Sequence, residues 1–228
     1  MNKLVLFDID GTLTRGLGDV HFAAFSYAIK KVSGIETSIT KIDHNGKTDK
    51  QLIVEILKKE GLEEVLIRSK LEEIIKEMVT FFDRETENKK MEAIEGAKEL
   101  LDSLTVNNVL TGLVTGNLES IGMKKLKIIG LDKYFNFGGF GSDGEKRSGV
   151  VKLAIKRAEK ISGHNFNLED IFIIGDTPRD IIAGREAGVK TIVVTTGKYS
   201  EEDLKAENPN FIFKNLTYKK EILEILLD

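Results

Sequence analysis

An apolar run near the start of the chain ends in two aspartates and a glycine, and it constrains the fold more than any other feature. The run reads Leu4-Val5-Leu6-Phe7-Asp8-Ile9-Asp10-Gly11-Thr12, which is typical of a buried strand that stops at a turn. Side chains alternate along a strand, so Asp8 and Asp10 are expected on the same side of its carboxyl end. Open α/β sheets bind ligands beyond the carboxyl ends of their strands. Two neighbouring carboxylates repel each other unless a cation or a shared proton compensates, so the pair indicates a hard-metal site, an acid–base couple, or both.

Four further apolar runs have the length and the branched-residue content of buried strands. They are Val109–Thr115, Ile171–Gly175, Thr191–Thr195 and Phe211–Phe213. Helical patterns lie between most of these runs, at Ala97–Leu104, Leu118–Ile129, Val150–Ile161 and Ile181–Ala187. Strands that alternate with helices predict an α/β fold, in which a Rossmann-like parallel sheet carries helices on both faces.

Residues 15–92 interrupt this alternation, because we find no strand pattern there. Three helical stretches are expected instead, at Val20–Val32, Asp49–Lys59 and Glu63–Phe82. We therefore predict a small α-helical cap domain over residues 15–92, inserted after the first strand. The catalytic core would consist of residues 1–14 and 93–228. Polar or glycine-bearing connectors, Thr14–Gly18 and Thr86–Glu95, would join the two domains.

Composition argues against several classes of function. The 228 residues carry a formal net charge of −3, which gives no strong field to attract nucleic acid or an acidic membrane surface. The chain has no cysteine, so disulfides and thiolate metal sites are ruled out. No apolar run approaches the roughly 18 residues of a membrane span, and the N-terminal residues lack the pattern of a secretory signal. We expect a cytoplasmic protein, a monomer or weak homodimer, that binds neither nucleic acid nor membranes.

The second predicted strand ends in Thr115-Gly116-Asn117, just before a helix. Backbone N–H groups and the helix dipole favour a bound anion at such a point. The alternative is that Asn117 only caps the helix. Further along, Lys146 and Arg147 precede another helix, and a cation there could offset the charge of a phosphate, although such a pair is more often solvated.

The third predicted strand ends in Gly175-Asp176-Thr177-Pro178-Arg179-Asp180. Thr177 suits the N-cap of the following helix and Pro178 suits its first turn, while Asp180 could simply complement the helix dipole. Asp176 is not needed for capping. If this strand lies beside the first, Asp176 would complete an oxygen-rich site of the kind that Mg²⁺ prefers.

Taken in order, these motifs resemble those of the haloacid-dehalogenase-like hydrolase superfamily. The matching parts are Asp8-Ile9-Asp10-Gly11-Thr12, Thr115-Gly116-Asn117, a basic residue near 146–147 and Gly175-Asp176-x-x-x-Asp180. The spacing and the helical insert resemble the phosphoglycolate phosphatase-like and β-phosphoglucomutase-like branches, over nearly the whole chain. One position departs from the family pattern, since Ser148 stands where a proline usually follows the basic residue. Alignment to the following helix favours Arg147 as that basic residue, with Lys146 as the alternative.

The resemblance implies a two-step reaction and the groups that perform it. Asp8 would be the nucleophile and form an aspartyl-phosphate. Asp10 would protonate the leaving alcohol and then activate water. Mg²⁺ would be held by Asp8, by the backbone carbonyl of Asp10 and by Asp176.

The remaining site residues are also assigned by the resemblance. Arg147 or Lys146 would supply positive charge to the phosphoryl group, and Asp180 would orient the basic residue or metal-bound water. In the insert, which would act as a lid, Lys47 is a candidate contact for an anionic leaving group, although a solvated lysine is the slightly favoured alternative. The residues expected to hold the phosphoryl group are Thr12, Thr115, Gly116 and Asn117.

These implications predict a Mg²⁺-dependent phosphatase that acts on a small phosphomonoester, such as phosphoglycolate, a sugar phosphate or a nucleotide. Asp10 argues against hydrolysis of a carbon–halogen bond, because a halide leaves without a proton. Two alternatives stay open at this point: a phosphomutase of the β-phosphoglucomutase type, and a catalytically silent regulatory protein on the same scaffold.

Overall fold

The computed structural model describes residues 3–227, so the outermost residues of the predicted core segments, 1–2 and 228, lie outside the described part. The strands are β1 Leu4–Phe7, β2 Thr14–Arg15, β3 Glu92–Ala93, β4 Leu110–Val114, β5 Gly138–Gly139, β6 Ile171–Gly175, β7 Lys190–Val194 and β8 Phe211–Phe213. The helices are α1 Gly18–Ser33, α2 Asp49–Lys59, α3 Glu64–Thr86, α4 Ala97–Val106, α5 Glu119–Ile128, α6 Arg147–Ser162, α7 Pro178–Ala187, α8 Glu201–Lys205 and α9 Lys219–Leu227.

Six strands form one parallel sheet in the order β5-β4-β1-β6-β7-β8. In its centre, β1 pairs with β4 on one side and with β6 on the other. This order places the carboxyl ends of these three strands side by side. The polar residues that follow each strand therefore meet at one edge of the sheet, as the predicted α/β fold requires.

Helices cover both faces of the sheet. Val5 and Phe7 point toward α4, α5 and α9, whereas Leu4 and Leu6 point toward α6 and α7. All four side chains are fully buried, which explains why β1 reads as a continuous apolar run rather than an alternating one. Burial of each large apolar side chain contributes about 1.5–3 kcal/mol. The predicted fold class, including the helical insert after the first strand, is confirmed.

The insert has its own apolar core, formed where α1, α2 and α3 pack together. Phe25, Ile53 and Phe82 are among the buried residues at its centre. This cluster continues into Leu118 and Ile121 at the start of α5, so the insert packs against the core rather than standing apart from it. Among the described residues, no helix combines the length and apolar character needed to cross a membrane.

Three short strands, β2, β3 and β5, are absent from the predicted pattern. Strand β5 lies at the edge of the sheet beside β4 and consists of two glycines. A Cβ on Gly138 would lie only 2.8 Å from the Cβ of Leu113. Such a strand carries no apolar signal. The prediction of no strand within residues 15–92 is wrong at its two ends, because Arg15 pairs with Glu92 in the antiparallel ribbon of β2 and β3. This ribbon ties together the two chain segments that lead into and out of the insert.

Candidate active site

A cavity of about 370 Å³ lies where the helical insert covers the carboxyl edge of the sheet. Its floor comes from the core and includes Asp8, Asp10, Thr115 and Asp176. Its roof comes from the insert. The roof residues include His21, Phe22, Phe25, Ile39, His44, Lys47 and Leu52.

Asp8 sits at the centre of the floor, directly after β1. Its backbone N–H donates to the carbonyl of Ile174 at 2.9 Å, which extends the pairing with β6 by one residue. The residue is 5% exposed. Burial raises the pKa of Asp8 to about 6, although the nearby charge of Arg147 opposes the rise.

Asp176 follows β6 and faces Asp8 across the floor. Carboxylate oxygens of Asp8, Asp176 and Asp180 lie within 4.8 Å of one another, and all three residues are buried. Burial, and then the charge of Asp8, raise the pKa of Asp176 well above its ordinary value. Buried acids at this separation oppose each other's ionisation, and a cation relieves that cost.

Two glycines approach the Asp176 carboxylate too closely for any side chain at their positions. A Cβ on Gly11 would lie 2.3 Å from Asp176 Oδ2, and one on Gly197 would lie 1.8 Å from it. Thr12 Oγ1 donates to Asp176 Oδ1 at 3.1 Å. Thr12 therefore lies behind Asp176 and does not border the cavity, so the structure places it away from the substrate-contacting position expected from the sequence.

Charge balance also favours a divalent cation at this edge. Within the described residues, Arg147 pairs with Asp8 and Asp180, and Lys125 pairs with Asp10. Asp176 has no such cationic partner within residues 3–227, and its carboxylate oxygens beside those of Asp8 are ligands that suit a hard divalent ion such as Mg²⁺.

Asp180 holds Arg147 in place. Its Oδ2 accepts hydrogen bonds from the backbone N–H and the hydroxyl of Thr177, at 3.0 and 2.8 Å. Its Oδ1 accepts from Arg147 Nη2 at 2.5 Å. The same Nη2 atom lies 3.1 Å from Asp8 Oδ1. Asp180 thus does more than complement the helix dipole, since it orients the guanidinium toward Asp8.

Of the two adjacent basic residues, Arg147 borders the cavity and Lys146 does not. Arg147 is the first residue of α6 and is buried, whereas Lys146 is exposed and does not border this cavity. Arg147 Nε is buried without a hydrogen-bond partner among residues 3–227. One donor of the guanidinium is therefore unused within these residues.

Thr115, Gly116 and Asn117 follow β4 and border the cavity together. The Asn117 amide donates to Thr115 Oγ1 at 2.7 Å and to Asp10 Oδ2 at 2.8 Å. Helix α5 begins two residues later, with Leu118 as its N-cap. The alternative in which Asn117 caps this helix is therefore wrong, because its side chain is directed to Asp10.

Lys125 was not identified from the sequence, yet it contacts Asp10 most closely. Lys125 Nζ lies 2.8 Å from Asp10 Oδ1 and 2.7 Å from Asp10 Oδ2. Burial alone would raise the pKa of Asp10, but the charge and hydrogen bonds of Lys125 outweigh it and lower that pKa. The sequence feature that could have indicated its burial is its spacing along α5. Lys125 lies three and four residues after the buried residues Gly122 and Ile121, and therefore on the same face of the helix.

His21 and Asp49, which come from the insert, extend this network. His21 Nδ1 lies 3.4 Å from Lys125 Nζ, and its Nε2 lies 3.1 Å from Asp49 Oδ2. The same Asp49 oxygen accepts from the backbone N–H of Leu118 in the core, at 2.8 Å. His21 is thus buried at the junction of insert and core.

The loop before α2 is docked on the core at several points. Arg147 Nη1 donates to the carbonyl of Gly46 at 3.2 Å, and Arg179 Nε donates to that of Asn45 at 2.7 Å. The backbone N–H of Asp49 donates to the carbonyl of Gly116 at 2.8 Å. Lys47 borders the cavity, but its Nζ pairs with Glu55 at 2.5 Å.

Comparisons with known proteins agree with this architecture. A family model described as haloacid dehalogenase-like hydrolase matches residues 5–194. A protein of Caldanaerobacter subterraneus provisionally named pyrophosphatase PpaX is 26% identical over 93% of the chain and 90% of its own length. The phosphoglycolate phosphatase of Vibrio parahaemolyticus is 26% identical over 98% of the chain and 96% of its own length. A solved structure from Bacteroides vulgatus, provisionally named a β-phosphoglucomutase, shares the fold with a TM-score of 0.70 at 22% identity, over 99% of the chain and 89% of that structure.

Proposed function

The chain belongs to the haloacid dehalogenase-like hydrolase family, and from this premise we propose that it is a Mg²⁺-dependent phosphatase of small phosphomonoesters. The observation that carries the proposal is the arrangement of Asp8. It lies on the floor of a covered cavity, within reach of Asp176 on one side and Arg147 on the other. Among the relatives described above, one is named a phosphatase and another a pyrophosphatase.

In the first step, a carboxylate oxygen of Asp8 attacks phosphorus, and the bond between phosphorus and the leaving oxygen breaks. Asp10, which borders the same cavity, gives a proton to the leaving oxygen from its protonated form, which is the minor form because Lys125 lowers the pKa of Asp10. In the second step, Asp10 takes a proton from water as the water oxygen attacks the phosphorus of the aspartyl-phosphate. Inorganic phosphate leaves and both carboxylates return to their starting state.

The residues around Asp8 stabilise the negative charge of the transferred phosphoryl group. Arg147 supplies a fixed cation, and the Thr115–Asn117 segment supplies polar groups at the end of β4. Asp8 and Asp176, with the backbone carbonyl of Asp10, would hold Mg²⁺. When bound, the ion offsets the repulsion between the anionic nucleophile and the phosphate dianion.

The size and lining of the cavity restrict the leaving group. A volume of about 370 Å³ lies near the lower end of the range for small-molecule sites. Phe22, Phe25 and Leu52 provide an apolar wall on the side of the insert. Because Glu55 already pairs with Lys47, we propose that Lys47 positions the docked loop as well as facing the leaving group.

Phosphate release from a panel of small phosphate compounds tests the proposal. The panel contains p-nitrophenyl phosphate, phosphoglycolate, pyrophosphate and several sugar phosphates, each with Mg²⁺ or with a chelator. We expect release that depends on Mg²⁺. Transfer of the phosphoryl group between sugar positions without release would identify a phosphomutase. No release and no transfer with any compound would favour the silent regulatory protein.

A further inference from the structure

A buried lysine holds the carboxylate to which the proposed reaction assigns proton transfer. Lys125 Nζ contacts both oxygens of Asp10, at 2.8 and 2.7 Å, and also donates to Asn117 Oδ1 at 2.8 Å. Asn117 in turn donates to Asp10 Oδ2. The Lys125 side chain is 1% exposed, whereas 44% of the Asp10 side chain remains accessible. Asp10 is therefore fixed from the protein side and open toward the cavity.

We propose that Lys125 is a positioning residue for Asp10, and that it sets the orientation in which this carboxylate meets the leaving-group oxygen. The inference rests on the proposed phosphatase function. A carboxylate rotates readily about its terminal bond, so a second group is needed to fix the plane of its two oxygens. Contact of one ammonium group with both oxygens, together with the Asn117 amide on one of them, provides that restraint.

The partners of Lys125 distinguish this role from that of an ordinary structural lysine. Burying an ammonium group is costly unless it is paired. Within residues 3–227, Asp10 is the carboxylate with which Lys125 pairs. The ion pair therefore holds Asp10, the proposed proton donor. It does not simply join two structural elements far from the active site.

The insert completes the surroundings of Lys125. The ammonium has three protons, and four acceptor atoms surround it: two on Asp10, one on Asn117 and Nδ1 of His21. His21 belongs to α1 of the insert and is held by Asp49. Docking of the insert thus places an additional acceptor, His21 Nδ1, against Lys125. The position of Asp10 is in this way connected to closure of the cavity.

Substrates with different leaving groups provide the test. A nitrophenolate leaves as a stable anion, whereas an alkoxide needs the proton that Asp10 supplies. We therefore measure kcat/KM, which reports the steps up to departure of the leaving group, with p-nitrophenyl phosphate and with an alkyl phosphate such as glycerol phosphate. For Lys125→Met we expect kcat/KM to fall by about 10²-fold or more with the alkyl phosphate, the scale of a general-acid contribution, but by less than about 10-fold with p-nitrophenyl phosphate.

The matched control is Lys127→Met, because Lys127 lies two residues further along α5 and is exposed. It is expected to change neither value. Lys125→Arg keeps the cation and should recover part of the activity toward the alkyl phosphate relative to Lys125→Met. An equal loss with both substrates in Lys125→Met would overturn the inference, since a merely structural lysine affects both alike.

A second comparison applies even if Lys125→Met does not fold. In the double variant Asp10→Asn with Lys125→Met, neither partner leaves an unpaired charge. If Lys125 acts through Asp10, this double variant has the same kcat/KM as Asp10→Asn alone. A further large loss contradicts the inference. A wild-type protein that releases phosphate from no compound of the panel above, nor from glycerol phosphate, would overturn the proposed function, and this inference with it, whereas an active wild type with equal losses overturns the role of Lys125 alone.

Discussion

Arg147 Nη2 lies 3.1 Å from Asp8 Oδ1 and 2.5 Å from Asp180 Oδ1, so a single nitrogen compensates two buried carboxylates. This geometry makes the guanidinium both a partner of the nucleophile and a fixed cation at the cavity floor. The backbone carbonyl of Gly46 accepts from its other terminal nitrogen, which connects the same side chain to the docked insert.

We predict that Arg147→Met lowers kcat/KM by about 10²–10³-fold, the cost of removing one preorganised charge-stabilising donor. Loss of this cation also leaves Asp8 and Asp180 without their partner, so thermal unfolding should move to lower temperature. Steady-state kinetics and calorimetry on the purified variant measure the two effects.

Lys146→Met is the comparison for that variant, because Lys146 is adjacent in sequence but exposed. We expect it to keep nearly full activity. A larger loss in Lys146→Met than in Arg147→Met would reassign the basic residue of the site.

Mg²⁺ should stabilise the fold in a manner that depends on pH. The pKa of Asp8 is raised to about 6 in the folded protein, so between its ordinary value and about 6 the folded state binds more protons than the unfolded state. The free energy of unfolding without metal therefore falls as the pH rises through that window, on the order of 3 kcal/mol for this group. Metal binding requires the ionised form. We predict a larger increase of Tm by Mg²⁺ at about pH 7.5 than at about pH 5.

Asp176→Asn separates metal binding from general ionic effects in the same melting experiment. Removing this buried charge relieves repulsion with Asp8, so the metal-free Tm at neutral pH should rise. The increase caused by Mg²⁺ should disappear. An undiminished Mg²⁺ effect in this variant would place the ion elsewhere.

Close docking of the insert depends on a glycine at position 116. A Cβ there would lie 2.2 Å from the carbonyl oxygen of Lys47. Gly116→Ala should therefore keep the docked loop away from the floor and lower kcat/KM by about 10²-fold, the scale expected for a displacement of about 1 Å. Gly144→Ala is the control, since no atom lies within 4 Å of its added Cβ. Similar kinetics for the two variants would show that this close approach is not needed for turnover.

Much of the carboxyl edge could be predicted because its signals are local in the sequence. An apolar run followed by a carboxylate marks the end of a buried strand, as at Asp8 and Asp176, and the parallel topology then brings such ends together. The order of the strands and the closeness of these two acids came from the structure, because strand pairing depends on contacts far apart in the chain.

The residues that the sequence did not identify are those whose surroundings in the fold are unusual for their residue type. From its residue type alone, Lys125 is expected to be exposed to solvent, because charged residues are rarely buried. Only its position on the buried face of α5 indicates that it is buried. His21 and Asp49 gain their partners from packing between the insert and the core. The two glycines of β5 carry neither apolar periodicity nor strand propensity, so no local pattern identifies them.

The most direct test of the central claim compares phosphate release by the wild type and by Asp8→Asn. Both proteins are assayed with Mg²⁺ and a phosphomonoester that the wild type hydrolyses. The substitution keeps the size of the side chain and removes the nucleophilic carboxylate. The account predicts Mg²⁺-dependent release by the wild type and background release by an Asp8→Asn protein with an equally cooperative thermal transition. Turnover at the wild-type rate in Asp8→Asn would contradict it.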